Sequence, residues 1–280
     1  MLALSARLRF DPNQAQRALP APSPKSPLLI TDPLFYLIAV VAVILLGLSK
    51  GGFFGLGVMA LPLMSLFVPP LQAAAILIPT VMAQDLLTVW TYRRDWSGWN
   101  LKVMLPGMAV GILVGTLFAA ALSAVHIRLA IGLIAAAFVL RHWLGQRFDR
   151  LASRSNTLTG VVFGAIGGFT TLLANAGGPA WQMHLLPQKL DKLTYAGTLT
   201  MLFAVSNLMK LPAYGALGQL TADNLSVGAV LLPAALLANY VGLWLVRRTP
   251  AELFFRIAYV LMLLIAVELI RGALTEMLRS

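Results

Sequence analysis

Lys50 stands at the end of an apolar stretch and is followed directly by Gly51 and Gly52. An ammonium at hydrocarbon depth costs several kcal/mol unless water or an anion reaches it, so its position needs a local reason. The glycines offer one. At an interrupted helix, free N–H groups and the positive dipole end can face an anion, and a missing Cβ lets the ligand approach the backbone. A second pair, Gly167 and Gly168, recurs later and is followed by Thr170, Thr171, Asn175 and Gln182. Their hydroxyls and amides donate to anionic oxygens without adding fixed charge. Gln84 and Asp85 occupy the positions that Ser206 and Asn207 occupy in the second half, and Lys210 follows Asn207 by three residues, on the same helix face. These residues form a candidate anion-binding set, while Asp85 and Glu268, carboxylates within apolar runs, are candidate proton carriers. Snorkelling cations, packing glycines and polar bonds between helices are the structural alternatives.

Covalent chemistry has little to work with. The chain has no cysteine, and His126, His142 and His184 share no metal-ligand spacing. No nucleophile, base and orienting group fall at interpretable spacing, so neither an enzyme nor a metal or other cofactor is expected. The remaining chemistry is noncovalent capture and movement of a small anion.

The composition fits that use. Of 280 residues 59% are hydrophobic and 11% charged, with a mean hydropathy of +0.82. A soluble domain carries roughly a quarter charged residues, so this chain is an all-α, polytopic membrane protein in contact with lipid. The net charge of +11 sits in short stretches between apolar runs, where it reads as topology information rather than a nucleic-acid surface. Trp90, Tyr92, Trp96 and Trp99 form an aromatic belt pattern, and Arg128 and Arg256 read as interfacial anchors.

The elements that must position the candidates come in two sets. Residues 1–33 are a basic tail punctuated by six prolines. Apolar segments then run from 34–144 and from 157–272, joined by a basic linker at 145–156 and followed by a short tail at 273–280. Each set has about four hydrophobic elements, and the first of each is predicted to break at its Gly-Gly pair, giving discontinuous helices that meet within the membrane. Several matches keep a common order: Gly51-Gly52-Phe53 with Gly167-Gly168-Phe169, Pro62 with Pro179, Gln84-Asp85 with Ser206-Asn207, Arg128 with Arg256. That order predicts a duplication. Arg93-Arg94 follows the second element of the first copy, whereas Arg247-Arg248 follows the third element of the second, so the loop charges predict inverted copies and a cytoplasmic linker. The basic tail runs against a strict inversion, and a parallel repeat stays open as the alternative.

The run Leu48-Ser49-Lys50-Gly51-Gly52-Phe53-Phe54-Gly55-Leu56-Gly57-Val58 with Pro62, its copy Gly164-Ala165-Ile166-Gly167-Gly168-Phe169, and Tyr92-Arg93-Arg94 resemble the signature of the sulfite exporter TauE/SafE family. The resemblance covers about 34–272. It implies a multi-pass protein of the cell inner or plasma membrane, a secondary transporter of small sulfur-containing anions such as sulfite or sulfoacetate, with export the expected direction. The family commonly has a small residue where this chain has Lys50. Uptake of sulfate or a small carboxylate, an anion channel, proton coupling and a homo-oligomer are all left open by the residues.

Overall fold

The computed structural model describes residues 33–51, 56–148, 155–246 and 251–279. The Pro-rich tail, Gly52, most of the basic linker and Arg247-Arg248 lie outside the described residues. In order, the helices are α1 (Pro33–Gly51), α2 (Ala60–Met64), α3 (Pro70–Thr91), α4 (Gly98–Ala121), α5 (Ala124–Phe148), α6 (Thr157–Ala174), α7 (Gly177–Leu185), α8 (Lys192–Ala216), α9 (Ala222–Val230), α10 (Leu232–Val246) and α11 (Ala251–Arg279). No strand occurs among the described residues. Four helices, α1, α3, α4 and α6, are long and apolar enough to cross a membrane, and α9 with α10, bent by 43°, makes a fifth candidate span. α8 is 25 residues long but carries Lys192, Asn207 and Lys210, so its length suits a span while its polarity marks it as a lining helix.

Two pairs of helices lie side by side and run in the same direction. In the first, α4 lies on α6. A Cβ at Gly107 would come within 2.0 Å of the Val161 carbonyl oxygen, and one at Gly111 within 2.0 Å of that of Ala165. From the other side, Gly164 and Gly168 leave room for the carbonyls of Met104 and Met108. Small residues spaced by four thus let two backbones touch, which in lipid replaces the hydrophobic drive that water would supply. In the second pair, α3 lies on α9 and α10. Gln72 Nε2 donates to Asn224 Oδ1 at 3.1 Å, and Gln84 Nε2 donates to the Ala235 carbonyl at 3.0 Å.

The same contacts revise one expectation. Gly167 and Gly168 do not break their helix; α6 runs through both to Ala174. A Cβ on Gly167 would meet the Trp181 indole at 2.0 Å, and one on Gly168 would meet Met108 O at 2.3 Å, so this pair is present for close packing. The interruption comes seven residues after Gly168, at Asn175, whose backbone is left-handed with φ 55°. Asn tolerates that region better than most residues, and Gly177-Gly178-Pro179 then starts α7. In the first copy α1 ends at Gly51, beside the predicted pair. Gly111→Ala is expected to destabilise the protein by about 1–3 kcal/mol, because backbone atoms on α6 cannot yield. Gly272→Ala, where nothing lies within 4 Å, is the control and should be neutral or stabilising. Thermal melting of the purified variants in detergent checks the pair, and equal melting temperatures would reject the packing role.

One end of the bundle gathers the turn after α3, the starts of α4, α6 and α8, and the end of α7. There Ser97 N donates to Thr198 Oγ1 at 2.9 Å, and Ser155 Oγ to the His184 carbonyl at 2.6 Å. Asn100 is buried between Gln188 and His184, its Oδ1 accepting from Gln188 Nε2 at 2.8 Å and lying 3.1 Å from His184 Nε2. Asp191 caps α8, and hydrogen bonds from Thr194 hold its carboxyl below the usual range. The opposite end holds Ser123 and Arg128, the latter paired with Glu276 at 2.8 Å, and the turn after α8. Arg93, Arg94, Lys189 and Lys192 all belong to the first end, which the positive-inside tendency predicts to face the cytoplasm. Single cysteines at Thr157 and Ala216, both exposed, therefore test the topology in this cysteine-free chain. Thr157→Cys should react with an impermeant reagent only from the cytoplasmic side and Ala216→Cys only from the other. Labelling of both from one side would reject it.

Candidate anion site

Two cavities meet near the ends of α1 and α6. The larger, roughly 500 Å³ with its open mouth included, is lined by Ser49 and Lys50 of α1, Thr88 of α3, Thr200, Phe203 and Asn207 of α8, and Asn175 at the break, with Leu46 and Val81 as apolar wall. The smaller, about 230 Å³, is lined by Lys210, Tyr214 and Asn175 against Leu61, Ala74, Leu77, Ile78 and Val81. Asn175 and Val81 face both. The larger cavity leans toward the cation-rich end, where α3 finishes and α8 begins, and the smaller toward the opposite end. Asn175 is thus part of the partition between them.

Polar bonds tie this partition together. Lys50 Nζ donates to Asp85 Oδ1. Asp85 Oδ2 accepts from Asn207 Nδ2 at 2.5 Å, so α1, α3 and α8 are joined through one carboxylate. The pair is internal: the Lys50 and Asp85 side chains are 13% and 8% exposed. Lys50 also lies 5.5 Å from the centre of the Phe203 ring, within reach of its negative face. On the other side Lys210 Nζ donates to Asn175 Oδ1 at 2.8 Å. Both bonds, Lys50 to Asp85 and Lys210 to Asn175, join residues 35 positions apart, each linking the end of a broken helix to a later long helix. Asn175, rather than Gly167 or Gly168, is the residue near the end of α6 that reaches the cavities.

Several hydrogen bonds brace the break at Asn175. The Asn175 and Ala176 N–H groups donate to the carbonyls of Thr171 and Thr170 at 3.1 and 3.2 Å, and the Tyr214 hydroxyl donates to that of Leu172 at 2.7 Å. The carbonyls of Thr170, Thr171 and Leu172 near the end of α6 thereby gain partners, as a buried helix end requires. Lys50 sits in the last turn of α1, and Lys210 contacts the residue that ends α6. Each cation is at the negative end of a helix dipole, which lowers the cost of holding it inside the bundle.

The candidates divide accordingly. Lys50, Asp85, Asn175, Asn207 and Lys210 are brought together. Gly51 is the last residue of α1, and Gly52 lies outside the described residues. Gln84 points instead at α10, bonding the Ala235 carbonyl. Thr170 bonds backward to the Ile166 carbonyl at 2.9 Å and forward to that of Ala176 at 3.1 Å, so its hydroxyl braces the break. Thr171 is buried, and its hydroxyl has no partner among the described residues. Gln182 is half-buried on α7 and lines neither cavity. Glu268 is exposed on α11, where Arg271 donates to it twice, at 2.6 and 2.8 Å. Ser49, Thr88, Thr200 and Phe203 were not singled out by sequence; only the helical spacing of Thr200, Phe203, Asn207 and Lys210 along one stripe could have found some of them.

A bundle of long apolar helices with a break and two ammoniums at its interior cavities, Lys210 buried and Lys50 mostly so, fits a multi-pass membrane transporter. The chain belongs to the sulfite exporter TauE/SafE family, whose model matches residues 38–269. Comparison with curated proteins and with solved structures gives no match. The family carries with it a small anion as the substrate.

Proposed function

We propose that this protein is a secondary transporter that exports sulfite or a small organosulfonate such as sulfoacetate. The observation that carries the reading is the pair of buried cations, Lys50 and Lys210, on either side of Asn175, each facing a cavity that leads toward a different end of the bundle. An anion entering the larger cavity meets the Lys50 ammonium and the Asn207 region; beyond Asn175 it meets Lys210. Thr88, Thr200 and Ser49 supply hydroxyls for the three oxygens of a sulfonate or sulfite. Alternating access arises when the copies 34–144 and 157–272 shift relative to each other, opening and closing the two cavities in turn. Export follows the family's description. Asp85 is the carboxylate placed to exchange a proton during the cycle, since among the described residues it is the one that bonds a cation lining the cavity.

Purified protein in liposomes should show saturable flux of sulfite or sulfoacetate, competed by close relatives and absent for an uncharged analogue of similar size. Equal flux of the uncharged analogue would remove charge recognition from the reading. Conductance that does not saturate and far exceeds carrier turnover would make the protein a channel.

A further inference from the structure

Asp85 does not line either cavity, yet it holds two residues that line the larger one, Lys50 and Asn207. Its charge therefore acts on the site from behind the wall. Lys50 from α1 is its cationic partner, and α8 brings Lys210 one turn beyond Asn207. On the other face of α3, Gln84 bonds a backbone carbonyl of α10 and brings no charge. Arg93, two turns along, donates to the Trp90 carbonyl and stacks over the Trp90 ring at 4.5 Å, at the exposed end. His184 is engaged with Asn100 and Thr159 between α4, α6 and α7. Lys50 and Lys210 are the charged or titratable side chains that line these two cavities, apart from the phenol of Tyr214.

Among the described residues, two ammoniums and one carboxylate leave the site with a single uncompensated positive charge. We propose, on the footing that this is the transported anion's site, that Asp85 sets the charge class of the substrate: a monoanion binds alone, and a dianion binds together with one proton on Asp85. The reason is the cost of net charge away from water. A monoanion cancels the one excess charge. A dianion would leave a buried negative charge, which the low-dielectric interior strongly disfavours. Protonating Asp85 releases Lys50 from its carboxylate and frees the ammonium to donate into the cavity, so the site then offers two cations to two negative charges. The protonated carboxyl can still accept from Asn207. In both routes one net negative charge enters. For sulfite the routes coincide chemically, since hydrogensulfite alone and sulfite with a proton on Asp85 carry the same atoms and charge.

The test uses two anions of nearly the same size and shape whose charges stay fixed from about pH 5 to pH 8: methanesulfonate, a monoanion, and sulfate, a dianion. Binding to the purified full-length protein in detergent is titrated across that range. The sulfate Kd should rise about tenfold per pH unit where one proton is taken up on binding, while the methanesulfonate Kd stays within about twofold. A dianion couples more strongly than a monoanion to any nearby proton site, so the variant at position 85 is what assigns the difference in slope to Asp85. Asp85→Asn, a fixed neutral mimic of the protonated acid, should abolish the sulfate slope and raise the preference for sulfate over methanesulfonate. Equal slopes for the two anions in the unmodified protein would overturn the inference while leaving an anion site in place, whatever the fate of the variant. A sulfate slope that persists in a monodisperse Asp85→Asn protein would overturn it as well. Failure of both anions to bind at any pH would instead remove the transport reading beneath it.

Discussion

Lys50→Met is expected to cost the folded protein about 3–5 kcal/mol, and adding Asp85→Asn is expected to recover most of that loss. The size follows from what the single change leaves behind. Asp85 is 5% exposed, and without Lys50 its ionised carboxylate would keep only the Asn207 amide as a partner. Removing one member of a buried ion pair strands the other charge, which is far more costly than removing both. Asparagine at position 85 retains an acceptor for Asn207 and carries no charge. Melting temperature and monodispersity in detergent read the cycle. Anion binding gives a second, independent readout: the double variant should bind methanesulfonate within about twofold of the unmodified protein, because Lys210 still supplies the excess charge and the pair removed was neutral. A single variant as stable as the unmodified protein would show that the pair is not energetically coupled.

Why part of this site could be read from sequence, and part could not, follows from the physics of particular residues. Lys50 stood out because an ammonium beside Gly51-Gly52 in so apolar a chain has few harmless explanations. Its partner was not visible: Asp85 lies 35 positions away, and Arg93, just past the end of α3, was a far nearer cation to Asp85 in sequence. The adjacent pairs Gln84-Asp85 and Ser206-Asn207 could not both serve the site in full, since neighbours on a helix diverge by about 100°. Asp85 and Asn207 meet, while Gln84 bonds α10 and Ser206 bonds backward to the Phe203 carbonyl at 2.8 Å. Glycine pairs carry two meanings in a membrane helix, a turn or a close approach, and Gly167-Gly168 has the second. The better signal for the break was Asn175-Ala176-Gly177-Gly178-Pro179, a residue tolerant of left-handed backbone followed by a helix-starting proline. Glu268 was separable too, because Arg271 sits one turn on and offers an exterior partner. The all-helical membrane architecture itself was legible from composition and segment length alone.

Lys210→Met should cause the largest loss of anion binding of any single change that spares the fold. The contrast with Lys50 lies in the partner. Lys210 bonds a neutral amide, Asn175 Oδ1 at 2.8 Å, so its removal strands no charge, and Asn175 faces both cavities, where water can replace the ammonium. Methionine keeps much of the stem volume among Leu61, Leu77 and Tyr214. Stability should therefore change little. Binding should not be spared, because Lys50 is already neutralised by Asp85 and Lys210 carries the site's excess charge. Losing a charge-assisted contact of about 1.5–3 kcal/mol weakens affinity by about tenfold to over a hundredfold. Lys210→Arg should rescue only in part, since a planar guanidinium is wider than the ammonium it replaces. Asn175→Gly adds a finer test: glycine accepts the left-handed backbone at φ 55° while removing the oxygen that aims Lys210. Its effect should fall between the unmodified protein and Lys210→Met, with folding intact. Methanesulfonate affinity in detergent and flux in liposomes read all three. Unaltered affinity in well-folded Lys210→Met would place the anion wholly on the Lys50 side of the partition and take Lys210 out of its path.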